Sequence, residues 1–238
     1  MKHPPVKSLI PNMVTLFGLC AGVTAIRFAV AGDLEKAFFA VLVAAVADGL
    51  DGALARSLRA KSSVGAELDS LADMVSFGVA PAVMLYVWVL SDVPRFGWLV
   101  CLIYVLCAAL RLARFNVTQA NAAASGQKNK AFFTGVPMPA AAYLALTPLM
   151  LLKGMEDPFF ARPELVIPVV LAVAALMVSP IPTFAPRRLK LPFMAALPVF
   201  ISVAAVAAFM LTDPWLTLAA LGSVYLLTVP VSYVMAKK

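Results

Sequence analysis

The chain has 238 residues, of which 63% are hydrophobic and 13% are charged, and its formal net charge is +7. A soluble domain has about a quarter charged residues and under half apolar ones, so this composition excludes a water-soluble fold and predicts a membrane protein. The length allows about eight helical spans of ~20 residues, and we expect a single transmembrane domain over residues 1–238.

Long apolar runs predict the transmembrane helices in chain order. Turn-forming pairs separate the runs, among them Gly32-Asp33, Ser62-Ser63 and Asp213-Pro214. We expect an all-α polytopic fold with spans near residues 8–30, 34–56, 64–90, 96–115, 132–152, 164–181, 192–211 and 214–235. The sixth run is short and flanked by prolines, so six or seven spans is the alternative.

The basic residues predict the orientation of these spans. Strict alternation assigns all but five of the 19 Lys and Arg residues to the side of the amino terminus, the exceptions being Arg27, Lys36, Arg95, Lys153 and Arg162. Cytoplasmic loops collect Lys and Arg, so we expect both termini in the cytoplasm and a multi-pass protein of the inner membrane. The same sorting accounts for the positive charge, and no nucleic acid partner is predicted.

Four aspartates fall in or beside the second and third predicted spans. They are Asp48, Asp51, Asp69 and Asp73. A charged side chain at the centre of a span costs about 3 kcal/mol, so acids in membrane segments are rare and mark functional sites. Because these four are clustered rather than scattered, we expect them to form one site.

The spacing of the acids places them on defined helix faces. Asp48 and Asp51 share a face of the second helix with Gly52 and Ala55, because residues three and four apart are neighbours on a helix. The small residues leave room for a ligand beside the acids. Tight packing against another helix is the alternative reading of such glycines.

The third helix repeats the pattern. Gly65, Asp69 and Asp73 follow one another at four-residue intervals and form a stripe. The connection between the two helices is short, so we expect antiparallel neighbours with their carboxylates facing each other near the cytoplasmic surface. Converging carboxylates suit hard divalent cations, which predicts Mg²⁺ or Mn²⁺, and Ca²⁺ can occupy such a site.

The complete pattern resembles the signature of the CDP-alcohol phosphotransferase family. It reads Asp48-x2-Asp51-Gly52-x2-Ala55-Arg56-x8-Gly65-x3-Asp69-x3-Asp73. The resemblance implies transfer of a phosphate-linked group from a CDP-activated substrate to an alcohol, with release of CMP. It implies that the four aspartates bind metal, that Asp73 is the general base, and that the enzyme is a homodimer. The implied CDP contacts are Asn12, Thr15, Asp48, Gly52, Ala55, Arg56 and Gly65.

Two further segments resemble the phosphatidylserine synthase branch of that family. They are Arg111-Leu112-Ala113-Arg114-Phe115-Asn116 and Phe133-x-Gly135-x-Pro137-x-Pro139-Ala140, where Met138 replaces a residue that is often small. The branch implies CDP-diacylglycerol and L-serine as substrates in a membrane of lipids. Arg111, Arg114 and Asn116 are then expected to bind the lipid phosphate or serine. Anchoring of a span end is the alternative role of the arginines.

Three other functions stay open at this point. Within the family, the acceptor could be glycerol 3-phosphate, an inositol compound or choline. A cation transporter with an acidic midplane site is disfavoured, because the acids occupy one contiguous stretch without a later counterpart. An intramembrane prenyltransferase is disfavoured because such enzymes carry two Asp-rich segments far apart in the chain.

Overall fold

The described part of the fold is mainly helical. The computed structural model describes residues 9–58, 62–124, 132–180, 182–184 and 196–236. Its α-helices are α1 (Leu9–Val30), α2 (Leu34–Ser57), α3 (Ser63–Asp73), α4 (Ala80–Trp88), α5 (Pro94–Ala124), α6 (Met138–Ala145), α7 (Thr147–Met155), α8 (Pro163–Val178), α9 (Ala196–Thr212) and α10 (Pro214–Ala236). A π-helix (Met74–Val79), two 3₁₀ turns (Leu90–Asp92, Pro158–Ala161) and two strands, β1 (Phe132–Thr134) and β2 (Pro182–Phe184), complete it.

Local capping residues define the helix ends that the sequence predicts. Gly32 turns the chain after α1 with a φ of 82°. Asp33 then caps α2 by accepting a hydrogen bond of 3.1 Å from the backbone nitrogen of Lys36. Ser62 caps α3 in the same way, accepting a bond of 3.0 Å from the nitrogen of Gly65. The predicted breaks at 32–33 and 62–63 are therefore confirmed.

Helix α1 is the central element around which α2, α3, the π-helix and α4 pack. Its face towards α2 consists of small residues, and a Cβ atom added to Gly18 would lie 3.2 Å from Cβ of Ala47. Small residues let two helix backbones approach closely where lipid supplies no hydrophobic driving force. The buried residues of the two helices include Gly18, Gly22, Ala25 and Ala29 of α1 and Ala37, Val41, Ala44 and Ala47 of α2.

Four helices in the described ranges are long and apolar enough to cross a membrane. They are Leu9–Val30, Leu34–Ser57, Ser63–Trp88, which includes the π-helix, and Arg95–Asn121. The bent pair α6 and α7 makes a fifth if both form one span, and shorter apolar helices follow. These four or five apolar helices are compatible with a polytopic helical membrane protein. The predicted count of eight and the predicted orientation stay predictions.

Two predicted segments differ from the structure. The fifth span, expected to be one helix over 132–152, begins with β1, which pairs antiparallel with β2, and its helix starts only at Met138. The chain bends by 42° at Leu146, two residues before Pro148, whose nitrogen cannot donate a backbone hydrogen bond. Helix α5, which contains the predicted fourth span, continues to Ala124, nine residues beyond the predicted end of that span at residue 115.

Candidate active site and metal centre

Three carboxylates meet between α2 and α3. Asp48 and Asp51 of α2 and Asp69 of α3 each offer an oxygen atom within 4.8 Å of the other two. The two helices bring these oxygens together, as the stripes of acids in the sequence predict. Three carboxylate oxygens at this separation match the ligand preference of a hard divalent cation.

Asp73 lines the same small cleft as these three acids. The cleft is bounded by α1, α2, α3 and the π-helix, and its lining includes Thr15, Gly18, Ala44, Ala72, Ser76 and Phe77. Each of the four carboxylates lies within electrostatic range of the other three. Asp73 lies outside the group of three acids whose oxygens are within 4.8 Å of one another.

The negative charge of the cleft has no ion-pair partner in the described part of the chain. The ion pairs there join Lys36 to Asp33 and Lys153 to Glu35, in other parts of the molecule. Among the described residues, Arg111 lies within electrostatic range of Asp48 and Asp73 but forms no ion pair with them, and one cation cannot balance four carboxylates held in an apolar environment. A bound divalent cation satisfies this charge, so the donor set fits the metal that the family resemblance implies.

Thr15 of α1 fixes the orientation of Asp51. The Asp51 side chain is buried, with 5% of its surface exposed. The Thr15 hydroxyl lies 2.6 Å from its Oδ2 atom and 3.1 Å from the Pro11 carbonyl oxygen. The hydroxyl has one proton, and we assign its hydrogen bond to the Asp51 carboxylate at the shorter distance, because a hydrogen bond to an ionised acceptor is stronger. One oxygen of Asp51 is thereby held, and the other is left for the cleft.

Gly52 borders open space rather than a neighbouring helix. Among the described residues, a Cβ atom added there would meet only the Nη1 atom of Arg56, at 3.2 Å, within the same helix. Helix packing therefore does not account for this glycine. At Gly65, by contrast, a Cβ atom would lie 2.8 Å from Oδ1 of Asn12 and 2.9 Å from Oγ of Ser62. Gly65 lets the start of α1 approach the start of α3.

Arg111 is a buried cation beside the acids. It is 8% exposed, its guanidinium lies 5.8 Å from the ring centroid of Phe115, and its Nε atom has no hydrogen-bond partner among the described residues. It lies within electrostatic range of Asp73, Asp48 and Tyr225. A buried donor without a partner is costly, so Arg111 is suited to an anionic ligand.

Arg114 and Asn116 have partners within the protein. Arg114 is exposed, and its Nη1 atom donates a hydrogen bond of 2.8 Å to the carbonyl oxygen of Val178, the last residue of α8. The Asn116 amide nitrogen donates to the Ser70 hydroxyl at 3.0 Å. These bonds hold α5 against α8 and α3. The expected substrate contacts of Arg114 and Asn116 stay predictions.

The sequence analysis named Thr15 of α1 but missed Gly18 of the same helix and Ser76 of the π-helix, which also line the cleft. The Ser76 hydroxyl donates a 3.4 Å hydrogen bond to the Gly18 carbonyl. A Cβ atom on Gly22 would lie 2.7 Å from Cα of Ser76. The signal was present, because Gly18 and Gly22 form a small-xxx-small pair on the first helix.

Comparisons with known proteins agree with this geometry. A family profile described as CDP-alcohol phosphatidyltransferase matches residues 8–181, and one described as CDP-alcohol phosphatidyltransferase 2 matches residues 195–230. The first match contains the four aspartates, the two arginines and Asn116.

Curated relatives cover most of the chain. It is 37% identical over 224 residues to the CDP-diacylglycerol–serine O-phosphatidyltransferase of Mycobacterium tuberculosis, a match of 93% of this chain and 77% of the relative. It is 32% identical over 203 residues to the Helicobacter pylori protein of the same name, a match of 82% and 81%. From the profile match, these relatives and the aspartate cluster, we conclude that this chain belongs to the CDP-alcohol phosphatidyltransferase family.

Proposed function

We propose that this protein transfers the phosphatidyl group of CDP-diacylglycerol to the hydroxyl of L-serine, giving phosphatidylserine and CMP. The observation that carries the proposal is the meeting of Asp48, Asp51 and Asp69 inside the matched family region. Relatives that carry the serine transferase name support the choice of acceptor.

The metal ligands in this proposal are Asp48, Asp51, Asp69 and Asp73. Members of the family depend on a divalent metal, and we infer Mg²⁺ or Mn²⁺, with Ca²⁺ able to occupy the same oxygen site. When bound, such an ion neutralises charge on the pyrophosphate of the donor and improves CMP as a leaving group. Thr15 assists by holding one oxygen of Asp51.

Asp73 is the proposed general base as well as a ligand. It takes the proton of the serine hydroxyl while the serine oxygen attacks the phosphorus that carries diacylglycerol. The phosphoanhydride bond breaks, and CMP leaves with the bonding electrons. A positioned base contributes about 10² to 10⁴ in rate. The place of Asp73 in the cleft but outside the tight group of three acids supports this second role.

The remaining motif residues are proposed to bind CDP. The open space beside Gly52 supports its assignment to the nucleotide, and Arg56 at its edge provides a cation for a phosphate. Asn12 and Gly65, which approach each other, are assigned to the same ligand. The full set is Asn12, Thr15, Asp48, Gly52, Ala55, Arg56 and Gly65.

Arg111 is the proposed partner of an anionic group of the acceptor or of the lipid phosphate. Its unpartnered Nε atom and its position near Asp73 support the serine carboxylate as that group. Glycerol 3-phosphate is the second candidate acceptor because it is also anionic. An inositol compound without phosphate, or choline, offers no anion to Arg111. Arg114 and Asn116 are assigned to the same region and act by holding α5 in place.

The proposal includes a cellular setting. We infer a multi-pass protein of the inner membrane, with both termini and the site on the cytoplasmic side, because the basic residues sort to that side. There a soluble acceptor meets a lipid donor. A homodimer is the assembly that the family resemblance implies.

CMP release tests the proposal directly. Protein purified in detergent is incubated with CDP-diacylglycerol and Mg²⁺ or Mn²⁺, with and without L-serine, and CMP is measured. We expect serine-dependent release that is abolished in Asp73→Asn, an isosteric change that leaves the protein folded. Release with a different alcohol alone would reject serine but keep the family reaction. A folded, metal-binding protein without release for any acceptor would favour cation transport.

A further inference from the structure

The helix that carries Asp69 and Asp73 changes its hydrogen-bond pattern directly after Asp73. Residues Met74–Val79 form a π-helix, and the backbone nitrogen of Ala80 donates to the Val75 carbonyl instead of its α-helical partner at position 76. Single π-turns inside α-helices are rare and occur mostly at functional sites. This one lies immediately beside a proposed catalytic acid.

Tyr104 of α5 holds this turn. Pro81 has no backbone N–H, so the Phe77 carbonyl lacks the donor that an α-helix would supply four residues later. The Tyr104 hydroxyl donates to that carbonyl at 2.9 Å, and the Tyr104 side chain is fully buried. A polar backbone group in a membrane must be satisfied within the protein, so this bond stabilises the wide turn.

Helix α1 holds the turn from the other side. The backbone of Ser76 packs directly against Gly22, because a Cβ atom added to Gly22 would lie 2.7 Å from Cα of Ser76. The Ser76 hydroxyl also donates to the Gly18 carbonyl. The π-turn thus contacts α1 on one side and accepts a hydrogen bond from Tyr104 on the other.

A change of register at the turn would move the aspartates rather than the helix that follows. In α3 only Ala72 is buried, whereas α4 buries several residues, among them Met84 and Leu85. Conversion of the π-turn to α-helical bonding would rotate one segment against the other by about 100°, the angle of one residue. The weakly packed α3, with Asp69 and Asp73, would absorb this rotation.

We propose that Tyr104 is a positioning residue for Asp73: by holding the Phe77 carbonyl, it keeps the π-turn and aims the carboxylate into the cleft. The same helix carries Arg111 two turns later, so α5 supports the site through both residues. This inference rests on the proposed function, because it concerns the base of that reaction.

The test compares Tyr104→Phe with a matched control, Tyr143→Phe. Tyr143 also donates its hydroxyl to a backbone carbonyl, but its acceptor is Leu218 on α10 and not a residue of the π-helix. We expect both variants to lose similar thermal stability in detergent. Only Tyr104→Phe should lower kcat, by about tenfold, with the KM for CDP-diacylglycerol within about twofold of wild type. Equal kcat values in the two variants would overturn the proposal.

A second variant and a second readout cover the other outcomes. Pro81→Ala supplies a new donor to the Phe77 carbonyl and gives the turn a route to α-helical bonding, so kcat should fall without a loss of stability. If Tyr104→Phe does not fold, a wild-type kcat in Pro81→Ala overturns the inference. Hydrogen exchange of Met74–Val79 is independent of turnover and should be faster in Tyr104→Phe than in Tyr143→Phe. Equal exchange overturns the inference even if the proposed reaction itself fails.

Discussion

Gly52→Ala separates a ligand-binding role of this glycine from a packing role. In the part of the chain that the structure describes, the new methyl group would meet only the end of the flexible Arg56 side chain, at 3.2 Å, and would displace no neighbouring helix. At a glycine kept for helix packing, an added Cβ atom would clash with a neighbouring backbone. Gly22 is such a position, because a Cβ atom there would lie 2.7 Å from Cα of Ser76.

The magnitudes follow from this geometry. Glycine in a helix interior is about 0.8–1.0 kcal/mol less favourable than alanine, so Gly52→Ala should stabilise the folded protein by up to about 1 kcal/mol. If the nucleotide occupies the same space, the methyl group should raise the KM for CDP-diacylglycerol by about tenfold, which corresponds to about 1.4 kcal/mol. Stability and substrate affinity should therefore change in opposite directions.

Gly49→Ala is the matched control on the same helix. Gly49 is exposed, and a Cβ atom there would meet no atom of the described residues within 4 Å. We expect the same gain in stability with an unchanged KM. The assay combines thermal unfolding in detergent with CMP release at varied CDP-diacylglycerol. A wild-type KM in Gly52→Ala would refute the assignment of Gly52 to the nucleotide, and a loss of stability would show that the space beside it is already filled.

Two further predictions concern residues around the cleft. Arg114→Ala should cost about 1 kcal/mol of stability through the lost bond to the Val178 carbonyl, with kcat near wild type, whereas Arg111→Ala should raise the KM for serine at least tenfold. If both changes altered kcat and the KM for serine equally, the assignment of Arg111 to ligand binding and of Arg114 to helix packing would be wrong. Thr15→Val should raise the Mg²⁺ concentration needed for half-maximal CMP release severalfold, because it frees Asp51; an unchanged metal titration would show that Thr15 does not orient this carboxylate.

The different surroundings of Arg111 and Arg114 could not be predicted from the sequence. Arg111 and Arg114 lie one helical turn apart and carry the same charge, so their spacing alone predicts a shared ligand. In the structure, Arg111 is buried beside the acids, while Arg114 reaches the end of α8. Position 178 is 64 residues from Arg114 in the chain, and no local rule connects them.

The break in the fifth predicted span has a similar origin. An apolar run predicts a continuous helix, but β1 pairs with β2, with Phe132 opposite Phe184. Strand pairing depends on a partner that approaches only after the intervening helices have packed. Pro148 and Gly135 were visible in the sequence, yet each also occurs in membrane helices, so neither predicts the break alone.

The sequence by itself determined the class of protein, most helix ends and the stripes of aspartates. These properties depend on composition and on neighbours within about four residues, as with Asp33 capping α2 and Ser62 capping α3. Only the tertiary structure decided that the acids meet within 4.8 Å, that Thr15 of α1 holds Asp51, and that Tyr104 supports the π-turn beside Asp73. Those contacts join side chains on different helices, and their geometry depends on how closely the small residues of α1 allow the helices to approach.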